Sequence, residues 1–174
     1  MAIASLAMRM NGVPVPVTAP PGFQQIYQEY SGVVYKTALR VTGNPADAED
    51  VLQTVFLRVL NQQTRFEEGW SPEHYLRRAA TNASIDVIRK RATQAESPID
   101  EGRDKAAAGT NVVLKERLRQ AIAKLDPQEG EMFLLRHLEG LSYEELADHF
   151  GVERGTVASR LHRIRQSLQK EIER

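Results

Sequence analysis

From Ala48 to Leu60 the apolar residues stand at Ala48, Val51, Leu52, Val55, Phe56, Val59 and Leu60. This i, i+3, i+4, i+7 spacing persists for about four turns, and it can bury one face only on an α-helix. Asn44 is placed to cap that helix, Pro45 suits its first position, and Asp47, Glu49 and Asp50 complement its N-terminus. The same period runs upstream from Phe23 through Ile26, Tyr27, Tyr30, Val33, Val34, Ala38 and Val41, until Gly43 stops it. Downstream, Ser71-Pro72-Glu73 opens a third helix with Leu76, Ala79, Ala80, Ala83 and Val87 on its buried edge. Three such helices make a small bundle.

Residues 92 to 111 have one large aliphatic residue, Ile99, amid small and charged residues with Pro98, Gly102 and Gly109, which is the composition of a linker. Helical spacing returns at Leu114, Leu118, Ala121, Ile122 and Leu125. Asp126-Pro127-Gln128-Glu129 then starts a helix carrying Met132, Phe133, Leu135 and Leu138 that ends at Gly140. Ser142-Tyr143-Glu144-Glu145 is a second capping box, followed by Leu146, Ala147, Phe150 and Gly151. No strand candidate or internal repeat is present. The expected fold is all-α: a disordered or extended arm over residues 1–21, a helical domain over 22–92, a flexible linker over 93–111 and a second helical domain over 112–174.

That last domain has the dimensions of a helix-turn-helix: a short helix, a tight turn at Gly151-Val152-Glu153, and a helix with Val157, Leu161, Ile164 and Leu168 in its buried seam. Opposite the seam lie Ser159, His162, Arg163 and Gln166, with Gly155 and Thr156 at the N-terminal end and Arg160 and Arg165 on the flanks. Lys and Arg total 23, as do Asp and Glu, so the chain is formally neutral. Yet Arg154 to Lys170 contains Arg154, Arg160, Arg163, Arg165 and Lys170 with no acidic residue. Charge segregated in this way suits phosphates, and Arg, Ser and Gln can read base edges in the major groove.

A second basic stretch, Arg77 to Arg91, holds Arg77, Arg78, Arg89, Lys90 and Arg91 against Asp86 alone. Its expected outward face carries His74, Arg78, Thr81, Asn82, Ile85 and Arg89. Phe66, Trp70 and Tyr75 stand just upstream, where aromatic rings can stack bases that have left a duplex. On the second helix, Asp50, Gln53, Thr54, Leu57 and Asn61 point away from the core stripe and form a face of low charge suited to docking a protein.

At these residues the chain resembles the extracytoplasmic-function (ECF) sigma factors of bacterial RNA polymerase. "NPADAEDVLQTVFLRVL" resembles that family's region 2 helix, "YLRRAATNASIDVIRKR" its promoter-melting and minus-ten-reading helix, and "LSYEELADHFGVERGTVASRLHRIRQSL" its region 4 helix-turn-helix. The resemblance covers roughly residues 23 to 171. It implies that Asp50, Gln53, Thr54, Leu57 and Asn61 dock on the clamp helices of the largest polymerase subunit. The flap of the second-largest subunit is a further implied partner. It places Phe66, Trp70, Tyr75, Arg78, Asn82, Asp86 and Arg89 at the minus-ten strand. Tyr143, Glu144, Arg154, Thr156, Ser159, Arg160, His162, Arg163 and Gln166 fall at the minus-thirty-five duplex. An anti-sigma factor wedged between the two domains is a common family partner. Thr54, Tyr75 and Ala158 depart from the family's usual residues, and Glu153 replaces a better capping residue.

A regulator with a LuxR-like helix-turn-helix shares the "LS..E.A" pattern, but its usual partner domain is an α/β module, and the first half of this chain shows helices without buried strand runs. Such a regulator binds its operator alone, whereas a sigma factor needs core polymerase. Enzymatic function has little to stand on. Glu145 and His149 are spaced i, i+4 but have no second ligand pair, His137 reads as a surface histidine, and no phosphate loop, nucleophile elbow or paired catalytic carboxylates occur. No cofactor is expected. The absence of cysteine fits a reducing compartment, Arg9 follows the first apolar run instead of preceding it as in a signal peptide, and no run of about 18 apolar residues occurs. The expected location is the cytoplasm.

Overall fold

The computed structural model describes residues 8–10, 13–15, 22–61, 71–95 and 110–173. The two shortest segments are strands, β1 (Met8–Met10) and β2 (Val13–Val15), paired antiparallel with Met8 opposite Val15 and Met10 opposite Val13. The arm reads in sequence as disordered or extended, without a strand, and these six residues correct the absence of a strand. The signal lay in Asn11-Gly12, the dipeptide most favoured between paired strands, standing in sequence between Met8-Arg9-Met10 and Val13-Pro14-Val15.

Helices α1 (Phe23–Thr42), α2 (Pro45–Asn61) and α3 (Pro72–Ala95) pack on one another as the first block. Gly43 closes α1 in the left-handed region at φ 66°, donating its N–H to the Leu39 carbonyl. Asn44 Oδ1 then accepts from the N–H of Ala46 at 2.8 Å and caps α2. The shared core contains Val34, Ala38, Val51, Val55, Phe56, Val59, Leu76, Ala80 and Ala83. Each large aliphatic among these contributes about 1.5–3 kcal/mol relative to exposure. Tyr27 lies on the edge, exposed, with its ring 4.8 Å from that of Phe56.

The second block consists of α4 (Thr110–Lys124), α5 (Pro127–His137), α6 (Tyr143–Phe150) and α7 (Arg154–Glu173). Asp126 caps α5 through the Gln128 N–H, and Ser142 and Glu145 make both bonds of the capping box on α6. Gly151 turns the chain at φ 61°, and the Glu153 carbonyl accepts from the N–H groups of Thr156 and Val157 to start α7. The core stripe is Leu134, Leu135, Leu146, Val157, Leu161, Ile164 and Leu168. Leu114, expected in this core, is exposed beside Val112 and Val113. Helix α3 takes up the first three residues of the expected linker and α4 its last two; residues 96–109 lie outside the described residues.

The largest departure concerns α3. Thr81, Ser84, Ile85 and Ile88 are buried, so the helix is covered on two sides. Its first face packs on α1 and α2, and its second on α4 and α5. Ile85, Ile88 and Val41 join Ala121, Ile122 and Leu125 in one continuous apolar cluster. The two blocks therefore share an interface, and most of the face expected to point outward from α3 lies within it.

Candidate nucleic-acid interface

Helix α7 divides as its periodicity requires. Val157, Leu161, Ile164 and Leu168 are buried, while Arg154, Ser159, His162, Arg163, Arg165 and Gln166 are exposed and Thr156 and Arg160 are half-buried. At the start of this face Arg154 Nε donates to Glu144 Oε1 of α6 at 2.6 Å. Both members of that pair are well exposed, so it holds α6 to α7 only weakly. Tyr143, at the front of α6, is already engaged. Its hydroxyl accepts from Arg165 Nη2 at 3.2 Å, and the Arg136 guanidinium sits 5.1 Å from its ring centre. Tyr143 and Glu144 thus brace α7 against α6. Ser159 Oγ donates to the Thr156 carbonyl at 2.9 Å and still faces solvent.

The basic stretch on α3 is arranged differently, because its arginines are matched inside the chain. Arg78 Nε donates to Glu131 Oε1 at 2.7 Å, and His149 Nε2 approaches the same oxygen at 3.1 Å. Arg77 bridges Glu73 and Glu139, with Glu139 also accepting from Thr37 Oγ1 at 3.1 Å. Arg89 donates to the carbonyls of Leu125 at 2.7 Å and Ala123 at 3.3 Å, the open end of α4. Arg91 ties the end of α3 to Asp47 at the start of α2. Asp86 is exposed, and Tyr75 and Asn82 are half-buried. Phe66 and Trp70 lie outside the described residues.

On α2, Asp50, Gln53 and Asn61 are exposed and Thr54 and Leu57 are half-buried, all on one side of the helix and away from its core stripe. The α2 face is open. Across the second block, Leu118, Phe133, Leu168 and Ile172 line an apolar groove of about 290 Å³ between α4, α5 and α7.

The residues weighed for catalysis have local partners. Glu145 Oε2 accepts from the Ser142 N–H at 2.7 Å, and that bond holds its carboxyl below the ordinary carboxylate range. His149 faces Glu131, so it does not share a site with Glu145. His137 is exposed, with partial burial against Phe133 and the charges of Arg165 and Arg136 lowering its pKa. Among the described residues no helix is long and apolar enough to cross a membrane, and none of the His and acidic residues group as a metal site.

Sequence reasoning missed Glu131, Glu139 and Arg119. Glu131 stands four residues before Leu135 and seven before Leu138, so it interrupts an apolar stripe with a carboxylate, a sign that a partner must meet it there.

Comparison with known proteins agrees with this layout. Residues 26–94 match sigma-70 region 2, and residues 115–168 match sigma-70, region 4. The ECF RNA polymerase sigma factor SigE of Mycolicibacterium smegmatis is 34% identical over 158 residues, covering 86% of this chain and 61% of that protein. The ECF RNA polymerase sigma factor SigW of Bacillus subtilis is 27% identical over 165 residues, covering 86% and 88%. Among solved structures, sigma factor RpoE from Bartonella quintana, crystallised with the anti-sigma factor NepR, shares the fold with a TM-score of 0.51 at 23% identity, covering 87% of this chain and 96% of that one. A region 2 match over three packed helices does not favour the LuxR-like alternative, whose α/β partner domain has no counterpart among the described residues. The chain belongs to the sigma-70 family, within its extracytoplasmic-function group.

Proposed function

We propose that the chain binds core RNA polymerase and directs promoter-specific initiation, with α7 reading a minus-thirty-five duplex and α3 with its upstream connector holding an opened minus-ten strand. The observation that carries this reading is the division of α7, which turns Ser159, His162, Arg163 and Gln166 outward over a fully buried aliphatic seam. An Arg-rich face of this shape takes phosphates by releasing counterions and offers side-chain donors to base edges. The protein supplies no catalytic groups to the chemistry, which belongs to the polymerase, and it works in the cytoplasm.

Within this reading, Asp50, Gln53, Thr54, Leu57 and Asn61 meet the clamp helices of the largest subunit. The second block meets the flap of the second-largest, for which the Leu118–Phe133–Ile172 groove offers an apolar surface. Arg78, Asn82, Asp86 and Arg89 attend the melted strand, with Phe66, Trp70 and Tyr75 supplying stacking surfaces. Two weak DNA sites on one tether gain through effective concentration once polymerase holds both. An anti-sigma factor that occupies the space between the blocks would deny both sites together.

The test is reconstitution: purified chain with core polymerase and fragmented genomic DNA from the source organism, with start sites mapped. Transcripts that begin a fixed distance from shared sequence elements are expected. An Asp50→Lys/Gln53→Glu variant should lose co-purification with core while keeping its helical circular dichroism. Initiation that proceeds equally well without the chain would overturn the proposal.

A further inference from the structure

Arg154, the first residue of α7, stands among acids. Its Nε is 2.6 Å from Oε1 of Glu144 in the first turn of α6, where Glu145 is also exposed, and the exposed Glu153 precedes it in the turn between the helices. The pair adds little stability, because 69% of the Arg154 side chain and 64% of the Glu144 side chain are open to water. What it fixes is a direction. Held through Nε, the planar guanidinium presents Nη1 and Nη2, with its remaining N–H donors, as a fork for a further acceptor. Gly155 stands beside it. Glycine is the poorest helix former after proline, and a Cβ here would meet nothing within 4 Å, so packing inside the chain does not require the missing side chain. Its absence lowers the surface at the tip of α7 and lets an outside group come up to the fork.

The surrounding charge decides which group that is. A phosphate laid on the fork gains from one cation and loses to the carboxylate paired with that cation at a separation not much greater, and Glu145 and Glu153 add to the loss. Little of the usual gain from displaced counterions is left. Guanine behaves differently, because its N7 and O6 are neutral acceptors side by side in the major groove and meet two Nη donors without bringing a full negative charge up to the acids. The first residues of a recognition helix are also the ones that reach base edges. Arg163 makes the contrast: it lies further along α7 among Ser159, His162 and Gln166, with no acidic residue from Arg154 to Lys170. That setting suits a phosphate.

We propose that Arg154 reads a guanine at one edge of the minus-thirty-five element, and that Glu144 is the positioning residue that aims it at the base and away from the backbone. The inference rests on the assignment of α7 to the minus-thirty-five duplex made above, and adds to it the base that the first residue of the helix selects. Arg154 and Arg163 then divide the work on one helix. The acid-flanked arginine reads sequence, and the arginine without an acid anchors to the backbone.

The experiment uses holoenzyme reconstituted from the full chain and core polymerase, on a mapped promoter whose minus-thirty-five region is randomised. Bound DNA is selected and sequenced, and affinity for the unaltered promoter is followed across a salt series. Wild type should select guanine, on one strand or the other, at an edge of the element. Arg154→Ala should lower that preference by about tenfold, within what one bidentate pair discriminates, while the other positions and the slope of log affinity against log salt stay as they were. Glu144→Ala should weaken the same preference and steepen the salt slope by up to about 0.9, because an arginine released from its acid can take a phosphate. Glu144→Gln keeps an acceptor for Nε and should keep the guanine preference, a rescue that a merely structural role for Glu144 does not give at a single base position. The proposal is overturned if Arg154→Ala changes no position, if the preference it removes is for another base, or if it flattens the salt slope by about 0.9, which would make Arg154 a backbone contact. A wild-type holoenzyme that initiates at the promoter yet selects nothing in this region overturns the assignment of α7 itself, and one that does not initiate overturns the proposed function; both are seen before any variant is compared.

Discussion

Two glycines in almost the same backbone state make it possible to weigh the contact between the blocks directly. Gly43 has φ 66° and Gly151 has φ 61°; both end helices, and both accept a side chain only at the cost of left-handed backbone. That cost is about 1–2 kcal/mol for an L-residue and is common to the two. Their surroundings differ. A Cβ on Gly151 meets nothing within 4 Å, whereas a Cβ on Gly43 falls on the guanidinium of Arg119. Because that guanidinium is the far end of a flexible chain, it swings aside and the backbone stays put. What is lost is the bond from Nε to the Val41 carbonyl together with the packing of a side chain that is only 19% exposed. A hydrogen bond from a charged donor contributes about 1.5–3 kcal/mol, and its re-solvation at this edge returns part of that. Gly151→Ala should therefore destabilise by about 1–2 kcal/mol, and Gly43→Ala by about 1–2 kcal/mol more, roughly the lower part of that bond's range. Denaturant unfolding followed by circular dichroism measures both. In a double-mutant cycle the excess at Gly43 should vanish in the Arg119→Ala background, since the group displaced is already gone. Equal costs at the two glycines, or an excess that survives removal of Arg119, would show that α4 does not rest on α1 in solution.

Three other outcomes follow from the geometry. Leu161→Ala, at a position with no exposure in the seam of α7, should cost about 3–5 kcal/mol and melt the second block first; a loss under about 1 kcal/mol would mean that the seam is not packed. In the reconstituted holoenzyme on a mapped promoter, Arg163→Ala should flatten the dependence of log affinity on log salt by about 0.9, the contribution of one phosphate contact, and an unchanged slope would remove Arg163 from the DNA face. Glu145 in the capping box is held below its ordinary pKa by the Ser142 N–H, so the stabilisation it provides is present above the unfolded value near 4.5 and fades as pH falls through the folded one; Glu145→Gln should be missing that part of the acid limb in thermal melts, and coincident limbs would contradict the capping role.

The helices and their caps were legible because each rests on local chemistry. Asn44, Asp126 and Ser142 cap the helices that their side chains mark, and Gly43 and Gly151 end the ones before them. The outward face of α7 was legible for the same reason, since one aliphatic seam of Val157, Leu161, Ile164 and Leu168 leaves only one opposite face. The β1–β2 ribbon was equally local but hidden by its length, too short to show alternation.

Helix α3 was not legible, and the cause is physical. A helix between two partners has no single apolar stripe: Leu76, Ala80 and Ala83 satisfy α1 and α2, while Ile85 and Ile88 satisfy α4 and α5. Reading one stripe forces the other face to be called outward. Its arginines sharpened the error, because a basic helix with only Glu73 and Asp86 nearby in sequence reads as a nucleic-acid surface, and two of the acids that meet it, Glu131 and Glu139, come from 53 and 62 residues away. Both readings of α3 are compatible if they belong to different states. Arg78 cannot donate the same Nε–H to Glu131 and to a phosphate, so an α3 that binds strand in one state and α5 in another must move between them, and the sequence alone supplies residues for both.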